Sequence, residues 1–387
     1  MTSRAALARR LAVFFAATAL FSGCTGIRLG RNLHLQTEDW PAFGRTAAHS
    51  NFVPRPINPP LSLAWQCDVS AGIANGAPII VDSLLIVGTM RGELYAIRTS
   101  DGKQMGWVGL GDAVQGSPVA NGNSVIVPLS NSKESIVSFD MPLGGFHWKQ
   151  SYGDVETSLL LVDHRLFFGT TSGTFFCVEA STGQQLWSFA LPSNTRWNGI
   201  RSSPAAWDST VVFGADDGVL YALQAKNGVV KWAYPAGAPI AAPPAISSTG
   251  VVVGTIAGRV VALHPETGNL QWSVDAGSPV YGHVLITPEV IIVATTGGEL
   301  LGLSPTTGAQ LWNTKIGSPM VAGPAAAGRT LFIGTLKREI FAVNITDGTI
   351  AWKGTTEGRI KTSPVIGYGM VFFATDDRSI LAYTGIP

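Results

Sequence analysis

Ala262-Leu263-His264-Pro265-Glu266-Thr267-Gly268-Asn269-Leu270-Gln271-Trp272 decides the fold, because the chain repeats this phrase along most of its length. Copies run from Cys177 to Trp187, Ala222 to Trp232, Gly302 to Trp312 and Ala342 to Trp352, and Ala96 to Trp107 carries one extra residue. Tryptophans recur at Trp65, Trp107, Trp148, Trp187, Trp232, Trp272, Trp312 and Trp352, at intervals of 42, 41, 39, 45, 40, 40 and 40 residues. A period in this range marks a repeat architecture in which each unit buries its apolar face on the next. The Thr-Gly, Asp-Gly or Asn-Gly pair supplies a positive-φ reversal between two strands. The small residue at the head of the phrase is expected to leave room for a neighbouring repeat's ring. The Trp is expected on an outermost strand, its flat face free to dock on the adjacent repeat.

Each unit opens on a Ser-Pro or Gly-Pro pair, as at Ser117-Pro118, Ser203-Pro204, Gly323-Pro324 and Ser363-Pro364. An apolar run such as Val211-Val212-Phe213 follows, then a turn such as Asp217-Gly218, then Leu220-Tyr221-Ala222-Leu223. Four short strands per roughly 40 residues make the blade of a β-propeller. The last unit, from Arg359 to Pro387, stops without its Trp, while Leu61-Ser62-Leu63-Ala64-Trp65 is a terminal strand with no blade before it. The expectation is an all-β, eight-bladed propeller of four-stranded antiparallel blades over residues 61–387. Pairing of the N-terminal strand with the C-terminal blade closes it.

Composition agrees: 13% of residues are charged, 46% are hydrophobic, and 45 Gly and 23 Pro punctuate the chain. That mixture excludes a disordered chain or a helical bundle. A formal charge of +1 offers no phosphate-tracking surface, so no nucleic-acid partner is expected.

The N-terminus reads as an export signal. Arg4, Arg9 and Arg10 precede an apolar run from Leu11 to Phe21, too short to span a bilayer. Phe21-Ser22-Gly23-Cys24 resembles a bacterial lipobox, which implies a signal peptide over 1–23, acylation of Cys24 and a lipid-anchored tail and linker over 24–60. Several acyl chains on one residue suffice for stable membrane attachment. Thr25 after the cysteine implies the outer membrane, with the protein facing the periplasm. Cys67 and Cys177 fall in non-adjacent repeats and read as buried small hydrophobes rather than a bridge.

The tryptophan phrase resembles the docking motif of pyrroloquinoline-quinone-type propellers, over residues 61–384. Within them the layout of leader, lipobox, brief tail and eight blades resembles the BamB-like outer-membrane assembly lipoproteins. That resemblance implies a non-catalytic scaffold, a monomer within a complex, that helps assemble β-barrel proteins. Quinone-dependent dehydrogenases of the same repeat type carry an adjacent cysteine pair and a calcium or lanthanide held by acidic and Asn ligands. This chain has no Cys-Cys pair, no Cys-x-x-Cys-His haem site and no Gly-x-Ser-x-Gly elbow. Its six histidines show no pairing at metal-ligand spacing. The expectation is no enzyme, no cofactor and no metal site. Asp216-Asp217-Gly218 and Asp376-Asp377-Arg378 occupy equivalent turns and read as turn chemistry.

The 45-residue interval before Trp232 holds its surplus in Leu191 to Arg201. Arg196, Trp197, Ile200 and Arg201 there have the composition of a protein-binding hot spot, the other reading being a loop packed on its own blade. In BamB-like proteins a comparable connection carries a Leu-x-Leu-Arg phrase that contacts BamA. Ile200-Arg201 match its second Leu and its Arg, and Asn198 stands at the first Leu. An acidic pair expected one connection later is missing from Ala236 to Pro243, and Asp154-Val155-Glu156 lies one connection too early.

Overall fold

The computed structural model describes residues 26–130, 133–192 and 198–386. Cys24, Arg196 and Trp197 lie outside the described residues. Eight antiparallel sheets follow one another along the chain. Blades 1 to 7 span 79–109, 119–150, 160–190, 205–235, 245–275, 285–315 and 325–355, each with strands A to D from the axis outward. Blade 8 combines Val365–Gly367, Met370–Ala374 and Ser379–Ile386 with the N-terminal strand Asn58–Asp68 as its outermost member. The closure expected from the two chain ends is therefore the observed one, with the strand starting three residues earlier than the repeat indicated. Because the strands alternate in direction, the D-to-A connections and B–C turns share one face, called upper here. The A–B and C–D turns share the lower face.

Strands at the heart of each blade are Val, Ile, Leu and Phe runs buried on both sides, which suits sheets packed face to face around a ring. Six of the eight repeat tryptophans dock as one motif. Trp65, Trp148, Trp187, Trp232, Trp272 and Trp312 each donate the indole N–H to a carbonyl at the next blade's C–D turn, at 2.8 to 3.2 Å. Each ring also covers that turn's glycine. The small residue of the phrase serves its own blade's indole instead of a neighbour's: Ala262 is cross-strand partner to Trp272, and a Cβ at Gly302 would lie 2.2 Å from Trp312 Cε2.

Two tryptophans depart from this. In blade 1 the extra residue places Gly106 opposite Ala96 and shifts Trp107 to face Tyr95. A one-residue slip turns a side chain to the other face of its sheet, and Trp107 stacks on Tyr95 instead of docking on blade 2. Trp352 meets blade 8, whose C and D strands come from opposite chain ends, so no glycine turn receives it. It packs edge-on against Tyr383 instead.

The stretch between Gly26 and Ile57 is built into the ring. Trp40 bonds with Ile80 in both directions, and Pro41, Ala47, Ala48 and Asn51 carbonyls accept from Ala120, Ala206, Ile246 and Ala326. Phe52–Val53 adds a parallel strand to blade 7. This segment crosses the lower end of the central channel by satisfying the free edges of the innermost strands, as buried backbone groups require. No helix among the described residues is long and apolar enough to cross a membrane. Cys67 and Cys177 are free thiols, and burial pushes that of Cys177 up to about 12.

Candidate functional site

Each D-to-A connection delivers an apolar side chain and then a channel-facing one. Ile200, Ile240, Val280 and Ile360 wedge against Gly169, Gly214, Gly254 and Gly334, where an added Cβ would come within 2.2 to 2.3 Å of them. Ile200 is fully buried. Expected as a partner contact, it is instead the lock that fixes its connection, and its surface neighbour Arg201 is what the lock presents.

Residues just past the buried apolar position of each connection ring the upper channel mouth: Asn75, Gln115, Glu156, Arg201, Ala241, Tyr281, Val321 and Lys361. Below them Ser158, Ser203, Pro243, His283, Gly323 and Ser363 line the wall and Phe43 the floor of a cavity of about 510 Å³. Charge is uneven around the ring. Arg201 pairs through Nε with Glu156 at 3.3 Å and through Nη1 with Asp216. Burial raises the Asp216 carboxyl above its ordinary range, and the Arg201 charge works against that rise. Gly199 makes the pairing possible, since a Cβ there would lie 2.4 Å from Asp216 Oδ2. Across the mouth, Asp376 binds Arg359 Nε at 2.7 Å and Lys361 Nζ at 3.2 Å. Burial opposes the Asp376 carboxylate, but the Arg359 amide and the two cations hold it below its usual range.

The two Asp-Asp turns thus divide their labour. Asp217 does the turn chemistry read from the sequence, accepting from Val219 N at 3.0 Å and the Tyr221 hydroxyl at 2.7 Å. Asp216 and Asp376 instead anchor a cation of their own blade's D-to-A connection. Glu156, passed over as an acid one connection too early, is an ion partner of Arg201. Register would have shown it, since Glu156 follows Val155 as Arg201 follows Ile200.

The floor is built from three rings. Phe43 meets the rings of His49 and His283 edge-on, with centroids 4.9 and 5.5 Å away. His49 Nδ1 lies 2.8 Å from Pro244 O, and His283 Nε2 lies 3.0 Å from Pro324 O. Burial lowers His49 to about 3 and His283 to about 4, so both are neutral. Among the described residues no three His, Cys, Asp or Glu side chains come together to hold a metal. Glu156, the acid of the ring, is already spoken for by Arg201. These residues do not fit the metal-assisted quinone chemistry of dehydrogenases with this repeat.

The PQQ_2 family model, described as outer membrane protein assembly factor BamB, matches residues 60–149, 132–285, 236–321 and 296–385. Outer membrane protein assembly factor BamB of Legionella pneumophila (strain Paris) is 24% identical over 167 residues, 40% of this chain and 41% of that protein. The crystal structure of BamB from Moraxella catarrhalis superposes with a TM-score of 0.71 at 17% identity, covering 84% of this chain and 99% of that one. Quinohemoprotein alcohol dehydrogenase from Comamonas testosteroni superposes with a TM-score of 0.75 at 14% identity, covering 91% and 81%. Both superpositions are likenesses of fold. Matched in four overlapping stretches from residue 60 to residue 385, the chain belongs to the PQQ-type propeller family described as outer membrane protein assembly factor BamB.

Proposed function

We propose that this protein is a non-catalytic scaffold of the bacterial envelope, anchored to the outer membrane by acyl chains on Cys24 and facing the periplasm. It assists the assembly of β-barrel outer-membrane proteins by holding a protein partner on its upper face. The observation that carries the reading is family membership along the whole propeller, joined to a half-exposed arginine that Glu156 and Asp216 fix at the channel mouth. Arg201, about half exposed and held by Ile200 below it, is the side chain offered to a BamA-like partner. Arg196 and Trp197, five and four residues earlier, belong to the same proposed surface. A buried wedge beneath an exposed cation presents the charge without the entropy loss of ordering a free loop.

Affinity capture of the tagged protein from detergent-solubilised membranes should recover subunits of the β-barrel assembly machinery. Arg201→Glu, which adds a third acid beside Glu156 and Asp216, should lower that recovery. Capture without any such subunit defeats the reading, and unchanged recovery by the variant removes Arg201 from it. The competing reading is a quinone-dependent oxidoreductase, which the residues lining the channel do not fit. On that reading pyrroloquinoline quinone and calcium added to the pure protein should produce a bound-quinone spectrum and dye-coupled alcohol oxidation; the scaffold reading expects neither.

A further inference from the structure

Between blades 1 and 2 the N-terminal segment does what an indole does between most other blades. The extra residue before Trp107 leaves Gly106 in the docking register, and Ile27, 1% exposed, packs with Ala96, Phe139 and Met141 in the vacated space. A Cβ at Gly106 would lie 2.6 Å from Gly26 O, and one at Gly144, in blade 2's C–D turn, 2.6 Å from Ile27 O. Leu29 and Gly30 donate their N–H groups to Met141 O and Pro142 O at 2.9 and 3.1 Å, and Leu33 N donates to Asn123 Oδ1 at 2.9 Å. Gly26 is therefore held at the lower outer rim of the ring. Cys24 stands two residues earlier, and two residues of extended chain reach only ~7 Å. If acyl chains sit on Cys24, as the proposed function has it and on which this inference rests, they enter the bilayer within that distance of the rim.

The surface around this point suits lipid. Leu143 is 70% exposed in the turn that receives Leu29 and Gly30, and Leu35 is 57% exposed where the segment crosses the lower face. Met105 and Phe146 add exposed apolar tips on the two outer strands. Lys149 Nζ lies 4.4 Å over the Phe146 ring and 2.8 Å from Glu134 Oε2, and Arg28 is exposed beside Gly144. Isolated apolar tips beside an exposed arginine match a headgroup interface, where the tips enter and Arg28 meets phosphate. We propose that the lower rim of blades 1 and 2 is a bilayer-contact surface. The docked segment converts the lipid anchor from a loose tether into a device that orients the propeller, turning the upper face and Arg201 away from the lipid.

The test uses the full acylated protein in vesicles of phosphatidylethanolamine and phosphatidylglycerol doped with a photoactivatable phospholipid, with labelled peptides mapped by mass spectrometry. Label should concentrate several-fold on peptides holding Met105, Leu143 and Phe146 over those holding Asp216 and Asp376 on the upper face. A flexible Gly-Ser insertion between Thr25 and Gly26 should even out the labelling, and Leu143→Glu with Phe146→Glu should lower it at the rim. Even labelling of an acylated protein, or an insertion without effect, overturns this inference and leaves the scaffold reading standing. A mass spectrum without acyl chains on Cys24 overturns the anchored reading and this inference with it.

Discussion

The indole of Trp232 lies over Gly268 of the following blade, with its N–H donated to Pro265 O at 2.9 Å. The contact joins two features of the repeated phrase that look independent in sequence. The glycine is there for its φ of +69° and also because a Cβ would stand 2.7 Å from Trp232 Cδ2. Gly277, with φ +73° and open space around it, carries only the first requirement. Gly277→Ala should therefore cost about 1 kcal/mol of backbone strain, and Gly268→Ala about 1–3 kcal/mol more from overpacking. Urea unfolding of the two variants measures the difference, and equal costs would refute the docking role.

Trp107 provides the complementary comparison. Trp272 is buried and hydrogen-bonded to Pro305 O at 3.0 Å, whereas Trp107 is half-buried and stacks on Tyr95 of its own sheet. Trp272→Ala should cost about 3–5 kcal/mol, as large ring deletions in cores do. Trp107→Ala should cost clearly less. Ile27→Asp, which puts a charge in the space an indole fills elsewhere, should be the worse change at that blade junction.

Acid should loosen the channel floor. His49 and His283 are held neutral with folded values near 3 and 4, below the ordinary 6.5 of the unfolded chain. As pH falls through 6.5 the unfolded state takes up protons that the folded state refuses, so stability is full above that value and declines below it. The slope approaches about 1.4 kcal/mol per pH unit for each ring, until each folded value is reached. Urea titrations at a series of pH values read the slope directly. Phe43→Ala admits water beside both rings and should flatten it.

The Arg201 pairs should matter little for folding. Arg201 is 47% exposed, and pairs of that kind contribute about 0–1 kcal/mol after solvent screening. Arg201→Met should leave the melting transition nearly in place, while the Asp216 carboxyl, relieved of its counter-charge, titrates higher still. Carbon-detected NMR of the Asp216 carboxyl follows the second effect. A large loss of stability would mean that the ring of charges is structural.

Closure depends on Asn58–Asp68, which pairs with Ser379–Ile386 and brings Trp65 onto blade 1. Deleting residues 58–65 leaves the last blade with an open edge and the first with an uncovered glycine at Gly102. Thermal unfolding should move down and lose cooperativity. A single sharp transition at the original temperature would contradict the closed ring.

The eight tryptophans, the turn glycines and the missing final Trp were enough to read blade number, strand count and the splice of the two chain ends. Those features recur because every blade solves the same local packing problem, and a repeated solution is visible without coordinates. The two exceptions were only half legible. The extra residue before Trp107 could be counted, but its consequence depended on register, which turned the ring to the wrong face and admitted Ile27. The channel mouth was the least legible part. Glu156, Arg201 and Asp216 come from three separate places in the sequence, and Ile200 and Arg201 differ in burial although they are neighbours. Sequence alone determined what recurs with the period of the blade. Which side chains meet across the axis, and where the N-terminal segment lies, were decided by ring closure, because contacts between distant repeats exist only once all eight are in place.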